Sequence, residues 1–198
     1  VVAPTKALLQ DLLAEYGPVT DAIVIPNGSS AVTDVRPAVE REPMVFSAGR
    51  LWDAAKNVAS VCAAASSVPW PVFVAGELEG PSRCFVPWGA AKYLGQLSAG
   101  QMREWYARAA IYALPARYEP FGLSIVEASA AGCALVLGDI RTLRENWHGA
   151  ALFVPPDNRR ALVAAIQTLI DDERRRCDLA ERARARASFF TVDPLANA

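Results

Sequence analysis

Histidine is almost missing from this chain, cysteine is sparse, and neither falls in a pattern that holds a metal or a redox pair. The one histidine, His148, sits in the turn-like stretch Asn146-Trp147-His148-Gly149 and reads as a surface loop residue. The four cysteines, Cys62, Cys84, Cys133 and Cys177, include no C-x-x-C. Three of them lie in Ala/Val-rich segments, so reduced thiols of a cytosolic protein are expected, with neither disulfides nor zinc. There is no D-x-D, and the one close acid pair beyond a predicted strand, Glu77 and Glu79, lacks the further oxygens a cation needs. No metal site is expected.

Other absences exclude whole classes. No G-x-x-x-x-G-K-[ST] loop occurs, and no G-x-G-x-x-G follows a strand, which removes the main support for ATPase and ordinary dinucleotide chemistry. No G-x-S-x-G elbow occurs either. With 20 basic residues against 21 acidic ones there is no net field to attract nucleic acid. The Arg-rich stretch from Glu173 to Arg186 interleaves Glu, Asp and Ala and reads as a solvated amphipathic helix. Apolar runs such as Ala22–Pro26 and Ala134–Leu137 are too short to span a bilayer. The opening VVAPTKALLQ has no initiator Met and no hydrophobic leader, and is expected to be cut from within a longer chain.

What is present is a large apolar fraction, 53%, enough for a substantial core. A helical period runs from Thr5 to Tyr16, and Ile23-Val24-Ile25 reads as a strand ended by Pro26-Asn27-Gly28. Further short strands are predicted at Met44–Ala48, Pro71–Ala75, Lys92–Gly95, Ile111–Leu114, Ala134–Leu137 and Ala151–Val154. Helices are predicted between them, at about 54–67, from Ser98 to Ala109, at Arg159–Ile170 and near Glu173–Ala187. Short, uniformly apolar strands alternating with helices indicate an α/β protein. Its expected form is a doubly wound, Rossmann-like parallel sheet of about six strands with helices on both faces. Ligands of such sheets bind beyond the carboxyl ends of the strands. Gly49-Arg50, Gly76-Glu77, Gly95-Gln96, Pro115–Gly122 and Gly138-Asp139 all follow strands and should border one crevice.

Cations and acids concentrate there. The chain has only three lysines, and one of them, Lys56, lies six positions after Arg50. Arg offers a planar fork to phosphate oxygens and Lys a compact point charge. The alternative is two exposed loop charges, and spacing alone does not separate the two. Glu119 and Glu127 flank Pro120-Phe121-Gly122 at a predicted helix start. Carboxylates there are ordinary complements to the helix dipole, but a carboxylate also accepts from the paired hydroxyls of a ribose or sugar. Gly122 allows close backbone approach, and its N–H with that of Leu123 can hold a phosphate or sugar oxygen.

Val24-Ile25-Pro26-Asn27-Gly28, then Ser47-Ala48-Gly49-Arg50 through Lys56, then Glu119-Pro120-Phe121-Gly122-Leu123 to Glu127, resemble the C-terminal half of a retaining GT-B glycosyltransferase. The group is carbohydrate-active family four, with its mannosyltransferases and sucrose and glycogen synthases. The resemblance covers nearly the whole chain. It implies that residues 21–198 bind a nucleotide-sugar donor (a UDP-, GDP- or ADP-sugar) and that 1–20 are the tail of an absent N-terminal acceptor domain. It assigns Arg50 and Lys56 to the distal phosphate and the departing diphosphate, Glu127 to the ribose and Glu119 to the donor sugar. Gly49 and Phe121 belong to the same motifs, Gly122 and Leu123 would offer backbone N–H groups, Gly95, Gln96 and Leu97 would meet the base, and Thr142 is a further candidate.

The resemblance implies no cofactor and no metal, a cytoplasmic setting with any peripheral membrane contact made by the absent half, and no transfer by this half alone. The segment from Gly76 to Trp88 departs from the Gly-rich turn usual in the family. A nucleotide-sugar 2-epimerase of the same architecture and a non-catalytic Rossmann-like binding module stand as alternatives.

Overall fold

The computed structural model describes residues 1–30, 40–79 and 89–192. The first half runs β1 (Val2–Ala3), α1 (Lys6–Tyr16), β2 (Ile23–Val24), β3 (Glu42–Ala48), α2 (Val58–Ala64), β4 (Val72–Ala75) and β5 (Lys92–Tyr93). The second runs α3 (Ala99–Arg108), β6 (Ala109–Leu114), α4 (Leu123–Ala131), β7 (Ala134–Gly138), α5 (Arg141–Trp147), β8 (Ala151–Val154), α6 (Arg159–Asp171) and α7 (Glu173–Ala187). The unusual stretch after Gly76 is described only as far as Glu79, and Cys84 lies outside the described residues.

Six strands form one sheet in the order β5-β4-β3-β6-β7-β8, every neighbouring pair parallel. Strand side chains alternate between two faces, and the core divides accordingly. Met44, Phe46, Tyr112, Leu114, Leu135 and Leu137 pack on one side against Tyr106 of α3, Ile125 of α4 and Trp147 of α5. Val45, Ile111, Ala113 and Val136 pack on the other against Val58 and Val61 of α2 and Leu162, Ile166 and Leu169 of α6. Both faces are covered, so the strands are apolar throughout, as a parallel sheet requires. This is the doubly wound, Rossmann-like arrangement that the sequence indicates.

Crossovers between parallel strands are right-handed. From β3 the chain moves one way along the sheet to β4, and from β6 it moves the other way to β7. The same hand therefore places α2 on one face and α4 on the opposite one.

Three details differ from the sequence reading. The strand at Ile23 does not join the large sheet; it pairs in parallel with Val2–Ala3, a strand the sequence did not announce. The predicted first helix, α1, packs on α5, a contact the sequence reading did not place. Both carboxylate oxygens of Glu145 accept from the first N–H groups of α1, Lys6 N and Ala7 N, at 2.8 Å each, and Arg141 pairs with Asp11 at 2.5 Å. A carboxylate there satisfies donors that the helix cannot use itself. The second helix begins at Val58 and not near Ala54, because Asn57 adopts φ +55 and interrupts helical geometry.

At the carboxyl ends, β3 and β4 meet backbone to backbone. Gly49 N donates to Ala75 O at 3.1 Å and Gly76 N to Gly95 O at 2.9 Å. Gly76 has φ +139, and a Cβ there would lie 1.7 Å from Gly49 O. A Cβ on Gly49 would instead rest at 3.5 Å from Lys56 Cγ, an ordinary contact. Gly76→Ala should therefore cost at least about 3 kcal/mol, combining backbone strain with an overlap that cannot relax by side-chain rotation. Gly49→Ala should cost under about 1 kcal/mol. Urea unfolding of the two variants checks this; equal midpoints would show that the strand ends do not approach so closely.

Candidate functional site

Adjacent strands whose connections leave to opposite faces open a crevice at their carboxyl ends. Here those strands are β3 and β6. Gly49-Arg50 leaves the first and Pro115–Gly122 leaves the second, so two segments 65 or more positions apart in sequence face one another.

They are joined by hydrogen bonds. Ala55 O accepts from Arg117 N at 2.8 Å, and Arg117 Nη1 donates to Ala54 O at 2.7 Å. Lys56 Nζ forms an ion pair with Glu119 Oε2 across the gap. Only 19% of the Lys56 side chain and 9% of that of Glu119 are exposed, so the pair is shielded and each charge needs the other. Thr142, the weaker candidate from the sequence, donates from Oγ1 to Glu119 O at 2.6 Å. It fixes the backbone of Glu119.

Arg50 is placed differently. Its side chain is 56% exposed, pairs with Asp53 at 2.7 Å, and lies 5.3 Å from the centroid of Trp52. Trp52 in turn donates from Nε1 to Glu77 Oε2 at 3.2 Å. Glu77 thus partners an indole, and among the described residues no cluster of His, Cys, Asp and Glu could hold a metal ion.

Helix α4 starts at Gly122, whose φ is +91, and no side chain caps it. Its first N–H groups therefore remain available, and the helix dipole adds partial positive charge beside Lys56. Leu123 is exposed on this first turn. Phe121 is not at the surface: it is 2% exposed and packs edge-on against Phe190 at 5.1 Å. The sequence reading grouped it with the binding residues, but its ring belongs to the core, and its N–H lies 3.5 Å from Glu119 Oε1. Buried Tyr112 ties the two halves from below, donating to Ala48 O at 3.1 Å with Ser124 Oγ at 3.0 Å.

Glu127 lies one turn further along α4, partly buried, and accepts from Ser29 Oγ at 3.4 Å. Burial pushes its carboxyl above the usual carboxylate range, against the opposing pull of Ser29 and of the Arg103 charge. Glu119 and Glu127 thus occupy separate environments, one paired with a cation and the other with a hydroxyl. Gly95, Gln96 and Leu97 follow β5, two strands away from β3. Gly95 supplies the carbonyl for Gly76, Gln96 is exposed, and Leu97 packs partly on the core.

Two contributors escaped the sequence reading. Asn57 follows Lys56 directly before the apolar run of α2, and Asn at that point is a recognisable cap signal. Ser29 reaches Glu127 from 98 positions away, and nothing local announces it.

The family profile described as glycosyl transferases group 1 matches residues 33–186. The O-antigen chain mannosyltransferase B of Escherichia coli is 30% identical over 152 residues, which is 76% of this chain and 34% of that protein. The D-inositol 3-phosphate glycosyltransferase of Kineococcus radiotolerans is 31% identical over 104 residues, 48% of this chain and 24% of that protein. The chain thus spans about a quarter to a third of the length of these curated relatives. Among solved structures, Anabaena HepE in complex with UDP-glucose superposes with a TM-score of 0.87 over 100% of this chain and 61% of its own. At 20% identity that likeness is one of fold.

The Glu127 environment makes a testable statement about stability. A carboxyl whose folded pKa is raised destabilises the fold once ionised, and the cost disappears as pH falls through the folded value to the unfolded one. Glu127→Gln should therefore be more stable than the parent at pH 8, with the gap closing as pH is lowered into the carboxylate range. Thermal unfolding between pH 8 and pH 4 measures it; a gap that widens on acidification would show the carboxylate to be a net stabiliser.

Proposed function

The chain belongs to the glycosyl transferases group 1 family, and from that premise we propose that it is the donor-binding half of a retaining GT-B glycosyltransferase. In this reading it holds a nucleotide sugar while the bond between the anomeric carbon and the diphosphate breaks and a bond to an acceptor hydroxyl forms on the same face. The supporting observation is the pairing of Lys56 with Glu119 across the β3–β6 crevice, beside the open start of α4, with Arg50 exposed in the loop that leaves β3.

Each part has a role that its chemistry suits. Charge develops on the departing diphosphate as the sugar leaves. Lys56, the first turn of α4 and the exposed fork of Arg50 supply positive charge to receive it. No metal is needed in this scheme. Glu119 has a carboxylate already oriented by Lys56 and Phe121 N, and accepts from hydroxyls of the donor sugar. Glu127 accepts from the ribose, as it now accepts from Ser29. The base lies towards Gly95-Gln96-Leu97, two strand spacings or about 10 Å from β3, a span suited to a ribose and base beyond the phosphates. HepE, whose fold this chain shares, is described with UDP-glucose, which makes UDP a natural first ligand to try.

The acceptor and the second domain belong to the greater length of the relatives, so these 198 residues are proposed to bind donor without completing transfer. Peripheral membrane contact and a cytoplasmic setting go with that same reading of the whole enzyme.

If the two cations meet the distal phosphate, the protein should bind a nucleoside diphosphate more tightly than its monophosphate, and added salt should reduce the difference. Arg50→Ala, at an exposed site, should lower diphosphate affinity by about tenfold and leave monophosphate affinity nearly unchanged. Titration calorimetry with UDP and UMP, and the GDP and ADP pairs, measures this. An unchanged preference in the variant would move the phosphate away from Arg50.

Glu119→Gln separates the acids. It keeps the side chain's size and releases Lys56 from its counter-charge, so free diphosphate should bind as well as before or better. The intact nucleotide sugar should lose about tenfold, the cost of one charge-assisted bond. Equal losses for both ligands would refute a contact between Glu119 and the sugar.

A further inference from the structure

Lys56 is followed by the one residue other than glycine, among those described, with a positive φ: Asn57, at +55. Its side chain is buried, with the residue 2% exposed, and its amide makes three hydrogen bonds. Nδ2 donates to Pro115 O and to Pro156 O, each at 2.8 Å, and Oδ1 accepts from Ser60 Oγ at 2.7 Å. Both carbonyls are acceptors, so only the NH2 end of the amide can face them. Pro115 directly follows β6 and Pro156 lies just beyond β8, while Asn57 belongs to the segment after β3. One buried amide thus joins the loops that leave three strands.

We infer that Asn57 is a positioning residue for the proposed diphosphate site, setting where Lys56 stands relative to Glu119 and the start of α4. The inference rests on the reading of that site given above. Among the described residues Lys56 bonds to Glu119 through its side chain and to Asp53 O through its backbone N–H at 3.0 Å, and neither partner lies in the sheet. Its location therefore depends on the neighbours in sequence that are anchored. Ala55 O holds Arg117 N, and Asn57 holds Pro115 O, so the bonds straddle Lys56 and pull the same two loops together. Arg117 repeats the connection at the surface, donating to Ala54 O and to Asp157, both at 2.7 Å. Its side chain is 43% exposed, so water competes for those bonds, whereas nothing replaces the buried amide. The left-handed backbone explains why the residue is Asn: among side chains with a donating amide, it tolerates this region best.

Asn57→Gly isolates the amide, because glycine keeps the backbone conformation and removes both donors. The variant is read by three measurements: circular dichroism for folding, amide hydrogen exchange at Arg117 and Tyr118, and calorimetry with whichever of UDP, GDP or ADP binds the parent, beside its monophosphate. The expected result is a folded variant with faster exchange at both amides. Its diphosphate-over-monophosphate preference should fall about tenfold, with monophosphate affinity held within about twofold. Ser60→Ala, which leaves Asn57 in place but removes the hydroxyl that fixes its Oδ1, should shift the preference in the same direction by a smaller factor, and carries the test should Asn57→Gly not fold. A folded variant with lowered stability and the parent's full preference would make Asn57 a structural residue only and overturn the inference. A parent protein without any diphosphate preference would overturn the reading of the site itself, and this role with it.

Discussion

The handedness of the crossovers governs everything at the carboxyl end of the sheet. A parallel strand pair joined through a helix packs back in one hand, so a sheet that grows in both directions from its centre must change faces there. In this chain the change falls between β3 and β6, with α2 on one side and α4 on the other. The loops that leave these strands diverge, and the space between them is the place where side chains from distant segments can meet. Lys56 and Glu119 are 63 positions apart and pair across it.

The crevice is assembled from groups that are each incomplete in the fold alone. The first N–H groups of α4 have no capping side chain, burial raises the Glu127 carboxyl above the usual carboxylate range, and Arg50 rests on Asp53 and Trp52 with more than half its side chain in solvent. At α1 the same need is met: Glu145 closes its start with two hydrogen bonds. At the other end of the sheet Arg41 donates to Tyr106 O and Ala109 O at the end of α3 and to Ala131 O at the end of α4. The starts of α2 and α5 also lack a capping side chain, so what sets α4 apart is the lysine and the glutamate that meet beside its open end. Function commonly sits where stability has been forgone.

The site is connected to the core by few but specific bonds. The Tyr112 hydroxyl links Ala48 to Ser124, Thr142 holds the backbone of Glu119, and Phe121 anchors its loop against Phe190. These residues touch no ligand in the proposed arrangement. They hold the residues that would, and they do so from both strands bordering the crevice.

Strand type, helix type and the doubly wound class were legible in the sequence because they follow from local periodicity. Six short apolar runs became the six strands of the large sheet, and every loop named as bordering the crevice does leave a carboxyl end. Arg50, Lys56, Glu119 and Glu127 were legible as residue types at suitable spacings. What was not legible has a common cause. The pairing of Ile23 with Val2, the packing of α1 on α5, the burial of Phe121, and the roles of Ser29 and Asn57 all depend on which surfaces meet in space. Periodicity reports which face of a segment is apolar, but not what covers it. The sequence by itself determined a parallel α/β sheet and the residues stationed at its carboxyl ends. Only the tertiary structure decided that Lys56 pairs with Glu119, that Arg50 pairs with Asp53 while more than half its side chain stays in solvent, and that one buried amide holds three loops, since these depend on distances that close only when the sheet is built.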